Sequence, residues 1–203
     1  MNLVIDTAHA NCSVGLFLGK DCISFQDKAI MQGHASVLPQ MVAEVAPDLS
    51  KVQNIIVDVG PGSFTGIRVG VAYAKGLGKG LNVPLWGVTA FQGFASLLPE
   101  NQEGLVIIDA KRKDLYCQWI SASGEKGDPL NLTPQDIATQ FDLRILNCVG
   151  NGVAQLEQAL EIKVTTISYE KQVLALLNDV FLKEKAFQPA NPFYLRSADV
   201  TQG

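Results

Sequence analysis

The strongest constraint on this chain is that it spells out one architecture twice. "NLVIDTA" is a short apolar run ending in Asp6, followed by the polar turn "HAN" and the alternating run "CSVGLFL". Further on, "LVIIDA" ends in Asp109 and Ala110, is followed by "KRKD", and leads into the alternating "LYCQWI". Apolar runs bounded by polar turns read as strand, turn, strand. The two aspartates are 109 − 6 = 103 positions apart, about half of the 203 residues. Later in each half a buried-type strand runs into a Gly-x-Gly turn and then a helix: "NIIVDVG" to Gly60 and Gly62, and "RILNCVG" to Gly150 and Gly152. Between hairpin and strand each half has one more helix. In "SVLPQMVAEVA" Val37, Leu38, Met41, Val42 and Val45 share a face, and Pro39 fits if Ser36 caps it and the proline lies in the first turn. In "TPQDIATQF" Thr133 is the cap, Pro134 the first helical residue and Asp136 the capping-box acid.

Two copies of hairpin, helix, strand and helix make a duplicated α/β protein with mixed sheets flanked by helices. That order is similar to the actin, sugar-kinase and Hsp70-like architecture. The seam is expected near "LLPENQEG", where loop-forming residues interrupt the apolar pattern, giving domains over 1–100 and 101–190. A last amphipathic helix is expected from Tyr169 to Lys185, with Val173, Leu174, Leu176, Leu177, Val180 and Phe181 inward. The tail 191–203 carries "PFYLR", apolar enough to dock.

With 47% hydrophobic residues the chain can bury a sizeable core. A net charge of −4 has the wrong sign for a protein whose main task is neutralising nucleic-acid phosphates. Cys12, Cys22, Cys117 and Cys148 form no C-x-x-C pair and read as reduced core thiols. "MNLVIDTA" has no basic n-region, and no apolar run is long enough to span a membrane, so a cytoplasmic protein without membrane partners is expected.

The stretch "DVGPGSFTGIRVGVAYAKGLGKG", residues 58–80, invites a nucleotide-binding reading. A phosphate loop of the G-x-x-x-x-G-K-[ST] type needs a lysine and a hydroxyl after its last glycine, and Gly66 is followed by Ile67 and Arg68. G-x-G-x-x-G fails because Thr65 stands at the third glycine. G-x-S-x-G fails at Phe64. The two histidines, His9 and His34, are not at metal-ligand spacing, and His34 as the base of a serine hydrolase is a weak case. What remains is a tight turn, or backbone N–H groups at a helix start that can hold an anion. In the helix itself Gly66, Gly70, Ala74 and Gly78 form a stripe of small residues, and Val69, Tyr73, Leu77 and Leu81 a bulky one. A helix apolar on two sides packs on two things: the sheet of its own half takes one stripe and a second helix the other, from "SVLPQMVAEVA" of the same chain, from a partner, or from both, and the glycines point to close approach of that helix.

"LVIDTAHANCSVGLF", "GPGSFTGIRVGVAYAKGLGKGLNVPLWGVTAFQGFA", "IIDAKRKDLYCQW" and "PFYLR" resemble the TsaB (YeaZ) family, partner subunits in the synthesis of threonylcarbamoyladenosine in tRNA. The likeness runs through nearly the whole chain and is weaker in the second half. It implies a non-catalytic paralogue of TsaD that pairs with TsaD through helices of the first domain, with the ATPase TsaE joining. Without a partner the same helix surface would be left exposed, so a homodimer through that stripe is expected. The matching interface positions are Gly66, Val69, Gly70, Tyr73, Ala74, Leu77 and Gly78, with Val37 and Met41 from the preceding helix. TsaD's metal-binding H-x-x-x-H aligns with Ala90 and Phe94, which cannot ligate, so no metal and no cofactor are expected. Asp6 is followed by Thr7 and Ala8, where the phosphate motif of the superfamily wants glycine. Asp6, Gly60, Gly62, Ser63, Thr65, Gly150 and Gly152 are therefore expected to line a vestigial nucleotide cleft, without a catalytic residue. Contact with tRNA is expected to be indirect, although Lys111, Arg112 and Lys113 form a basic turn. The competing readings are an actin-like nucleotide hydrolase or kinase acting through Asp6 and the loop from Gly60 to Thr65, and a glycoprotease-like protein.

Overall fold

In the computed structural model, residues 1–30, 33–167, 173–184 and 189–195 are described. They form two units, Met1–Ser96 with Glu170–Phe193, and Leu97–Tyr169 with Tyr194–Gly203. The first unit runs β1 (Asn2–Asp6), β2 (Asn11–Leu18), β3 (Asp21–Ala29), α1 (His34–Val45), β4 (Asn54–Asp58), α2 (Phe64–Leu81), β5 (Leu85–Val88) and α3 (Ala90–Ala95). The second runs β6 (Gly104–Asp109), β7 (Leu115–Ile120), β8 (Leu130–Leu132), α4 (Pro134–Gln140), β9 (Asn147–Val149) and α5 (Val153–Leu160). α6 (Val173–Glu184) closes the order.

The first sheet has the order β3-β2-β1-β4-β5, antiparallel on the hairpin side and parallel from β1 to β5. Successive side chains of a strand point to opposite faces, and this alternation divides the core. Leu3, Ile5, Ile55 and Val57 meet α1 and α2 through Leu38, Met41, Ile67, Val71 and Ala74. Val4 and Ile56 meet Leu174, Leu177 and Val180 of α6 on the other face. The sheet is thus sandwiched between helix layers, which is why β1 and β4 are apolar between a first asparagine and a final aspartate. The second sheet has the order β8-β7-β6-β9, with β6 parallel to β9. Leu105, Ile107, Leu115 and Cys117 form its core with Ile137 of α4 and Val153 and Leu156 of α5.

Three expectations from the sequence need correction. The 101–190 domain would have held α6, yet α6 packs on β1 and β4 of the first unit, and the segment reaching Phe193 belongs there too. Phe193 N–H donates to Val59 C=O at 2.7 Å, and Ala190 lies in the first core. Positions 169–172 and 185 of the expected last helix, and 196–203 of the tail, lie outside the described residues. α1 starts at His34, with Gly33 at its N-cap in the left-handed region (φ 91°) and no side-chain cap; Ser36 Oγ donates to Gly33 C=O, and Pro39 falls beyond the first turn. Cys22 is exposed on β3, whereas Cys12, Cys117 and Cys148 are buried free thiols. Burial, followed by the nearby Asp6 and Asp27 carboxylates, pushes the Cys12 thiol up to about 11, and burial pushes Cys117 up to about 12.

Candidate functional sites

The loop before α2 is shaped by its own sheet. Ser63 N–H donates to Ala8 C=O at 2.7 Å, and Ser63 Oγ caps the helix by accepting from Gly66 N–H at 3.2 Å. These two backbone donors, which an anion would need, are already engaged within the chain. A Cβ at Gly62 would sit 2.2 Å from Ala8 O, and one at Gly66 1.9 Å from Thr7 O. The glycines let the loop cross the turn after β1 at backbone contact. Thr65 is exposed at the first turn. Gly60 is in the left-handed region (φ 106°), with Ile67 and the Phe193 carbonyl where a side chain would go.

The stripe of small residues has the same cause, and this corrects the expected interface. Gly66, Gly70, Ala74 and Gly78 are buried. A Cβ on Gly70 would lie 2.3 Å from Thr7 Oγ1, whose hydroxyl donates to Gly66 C=O at 2.7 Å, and Ala74 is part of the first core. The close approach is therefore of helix to its own sheet, and these four residues present no surface to a partner. Met41 is likewise fully buried in the core. Of the nine expected interface positions, Val37, Val69, Tyr73 and Leu77 keep part of their surface exposed while packing against the core. Burial raises the Tyr73 hydroxyl. α1 and α2 touch on this side of the sheet. Arg68 covers the Phe64 ring at 3.8 Å, and Lys75 Nζ donates to Asn191 at 3.2 Å.

Gly150 and Gly152 lie in the second unit. A Cβ on Gly150 would be 2.1 Å from Ile107 O, one on Gly152 2.8 Å from the Ile108 carbonyl carbon, and Asn151 Oδ1 accepts from Asp109 N–H at 2.9 Å. This turn is a clamp on β6. Lys111 Nζ donates to Asp109 at 2.7 Å, and Arg112 C=O accepts from Gln155.

The arrangement that sequence reasoning missed is in the first unit. Parallel pairing sets the ends of β1 and β4 side by side, with Ile5 opposite Val57, so Asp6 and Asp58 are neighbours although 52 positions apart (58 − 6). His9 reaches back from the turn: its Nδ1 lies 2.9 Å from Asp6 Oδ2 and 3.5 Å from Asp58 Oδ2. Asp58 is wholly buried and Asp6 nearly so. Burial, and secondly the Asp6 carboxylate, push Asp58 up to about 7 against the opposing pull of His9 and the Gly60 N–H. The Phe94 ring stands edge-on to His9, 6.4 Å between centroids. The available signal was that the apolar runs "NLVID" and "NIIVD" both end in aspartate, since ligands of open α/β sheets gather at carboxyl ends of strands. Ala90 and Phe94 are buried on α3, beyond the Thr89 capping box.

The model of the family "TsaD: tRNA N6-adenosine threonylcarbamoyltransferase" matches residues 28–138, more than half of the chain. The protein named tRNA threonylcarbamoyladenosine biosynthesis protein TsaB of Buchnera aphidicola is 25% identical over 222 residues, 95% of this chain and 96% of that protein. The chain belongs to the TsaB (YeaZ) branch of this family. Its relative of the same name in Haemophilus influenzae is 30% identical over 132 residues, 62% of this chain and 56% of that protein. Against uncharacterised mycobacterial relatives the match spans 33% to 56% of their length. YeaZ from Pseudomonas aeruginosa superposes with a TM-score of 0.70 at 23% identity, over 96% of this chain and 99% of that one. A Bacteroides thetaiotaomicron protein with an actin-like ATPase fold superposes at 0.53 with 10% identity, over 87% and 95%. The fold is thus the duplicated actin-like one. Among the described residues no helix is long and apolar enough to cross a membrane.

Proposed function

We propose that this chain is a non-catalytic subunit of the machinery that places threonylcarbamoyl on an adenosine of tRNA in the cytoplasm, and that it acts by pairing with and activating a TsaD-type partner. The observation that carries this reading is the division of α2 into two faces. Its small residues are used up against the sheet, while Val69, Tyr73 and Leu77, beside Val37 of α1, keep apolar surface on the outside. Half-buried aromatic and aliphatic side chains on a rigid helix are the kind of anchor that protein interfaces use. The family membership supports the choice of partner. Ala90 and Phe94, which the resemblance aligns with the metal histidines of TsaD, support the absence of catalysis, being buried and without a ligating atom.

In this reading a TsaE-type ATPase joins the pair, the same outer stripe forms a homodimer when the partner is absent, and tRNA is met mainly by the partner. The loop at Gly60, Gly62, Ser63 and Thr65 serves the fold, which counts against nucleotide hydrolysis. The test is reconstitution: a TsaD-type enzyme of the same organism is assayed for tRNA threonylcarbamoylation with and without this chain. Modification that needs the chain and fails with Tyr73→Glu supports the proposal. Modification that proceeds equally without it overturns it.

A further inference from the structure

Asp6 and Asp58 are held in the same way. Asp6 Oδ1 accepts from Ala8 N–H at 2.8 Å, and Asp58 Oδ1 accepts from Gly60 N–H at 2.7 Å. Each turn leaves the second oxygen, Oδ2, directed at His9 Nδ1. Asp58 is 0% exposed, and its Oδ2 has no hydrogen-bond partner. It is a buried acceptor aimed into the cluster with its need unmet. Two carboxylates against one imidazole carry at most one compensating positive charge, and uncompensated charge shut away from water is costly.

We propose that Asp6, His9 and Asp58 hold one divalent first-row transition cation of the zinc or manganese class, as a structural site. The three donor atoms lie within 4.8 Å of one another. Donors at zinc-like bond lengths around one tetrahedral ion stand roughly 3 to 3.5 Å apart, so a small contraction of the cluster completes the contacts. An imidazole nitrogen with two carboxylate oxygens suits these ions better than calcium or magnesium, which take oxygen donors. The N–H groups of Ala8 and Gly60 supply the outer hydrogen bonds that fix ligating carboxylates. A cation here ties the end of β1, the turn after it and the end of β4 together, and neutralises the charge that the bare cluster leaves over. His9 is the member with the most exposed surface, so the ion passes the imidazole to reach the acids.

The test uses the full chain stripped with a chelator and titrated calorimetrically near neutral pH with zinc chloride and, separately, manganese chloride. Thermal melts are recorded with and without each ion. The expected result is one saturable site per chain and a rise in melting temperature. His9→Gln and Asp58→Asn should weaken binding by roughly 100-fold, the upper end of what the loss of an outer-shell partner alone does. Cys22→Ser, which removes the exposed thiol, should bind unchanged. Without metal Asp58→Asn should melt above the parent chain, because a buried like-charge contact is gone; with metal the order should reverse. That reversal also guards against a variant that merely folds poorly. Absence of saturable binding of either ion, or binding that survives both substitutions, would overturn the proposal.

Discussion

Asp6 and Asp109 end equivalent strands of the two halves, and their surroundings have diverged. Asp6 is buried beside Asp58 and His9. Asp109 keeps about a quarter of its side chain exposed (24%) and pairs with Lys111 at 2.7 Å. Across the parallel partner strand, where β4 carries Asp58, β9 carries Cys148 two residues before its glycine turn; burial pushes this thiol up to about 11. The glycine turns, in contrast, do the same work in both halves, letting the chain cross the first strand at backbone contact. The scaffold was kept where atoms touch, and the chemistry at the strand ends was free to change. One half concentrates buried charge, and the other dissipates it into solvent.

The largest effects should come from the shared feature. Gly62→Ala and Gly150→Ala each place a Cβ near 2 Å from a backbone oxygen, so each should destabilise by about 3 kcal/mol or more, the scale of overpacking and backbone strain together. Urea unfolding followed by circular dichroism measures both; a mild loss in one half alone would break the equivalence. The acids come next. Near neutral pH Asp58→Asn should stabilise the metal-free chain by about 2 kcal/mol, the order gained by removing a carboxyl whose burial and like-charged neighbour disfavour ionisation, while Asp109→Asn should stay within about 0.5 kcal/mol, as substitutions away from buried charge do. Equal shifts would mean that the burial difference has no energetic weight.

α2 offers a contrast within one helix. Nothing lies within 4 Å of a Cβ on Gly76, so Gly76→Ala should stabilise by about 1 kcal/mol through helix propensity. Loss of stability there would show the outward face of α2 to be packed after all. The smallest effect belongs to Asp142 in the second unit. Its hydrogen bonds with the Arg144 side chain and N–H hold it down to about 2. Its contribution is present above the ordinary aspartate value near 3.8 and is lost as pH falls towards about 2. The melting-temperature gap between the parent chain and Asp142→Asn should therefore narrow over that acid range, and a constant gap would count against the pairing.

The duplicated order was legible because each piece is written locally: apolar runs that end at polar turns, Thr133 and Pro134 at a helix start, glycines at strand-to-helix junctions. Three things were not legible, for three reasons. α6 sits on the first sheet because Leu174 and Leu177 fit Val4 and Ile56, and an amphipathic pattern shows that a helix has an apolar face without saying which sheet covers it. The stripe of small residues could be seen in the sequence, but small side chains admit a sheet as readily as a second helix; the Thr7 carbonyl decides it. The meeting of Asp6, His9 and Asp58 depends on parallel pairing across 52 positions (58 − 6), which no local spacing records.

The central claim is that the outer face of α2 binds a TsaD-type partner. Its most direct test is light scattering of the chain mixed with the TsaD-type protein of the same organism, using the parent chain and Tyr73→Glu, each first shown to melt at the same temperature. The account predicts a heterodimer mass for the parent and separate components for the variant. A heterodimer that persists unchanged in Tyr73→Glu, or that never forms with the parent chain, would contradict it.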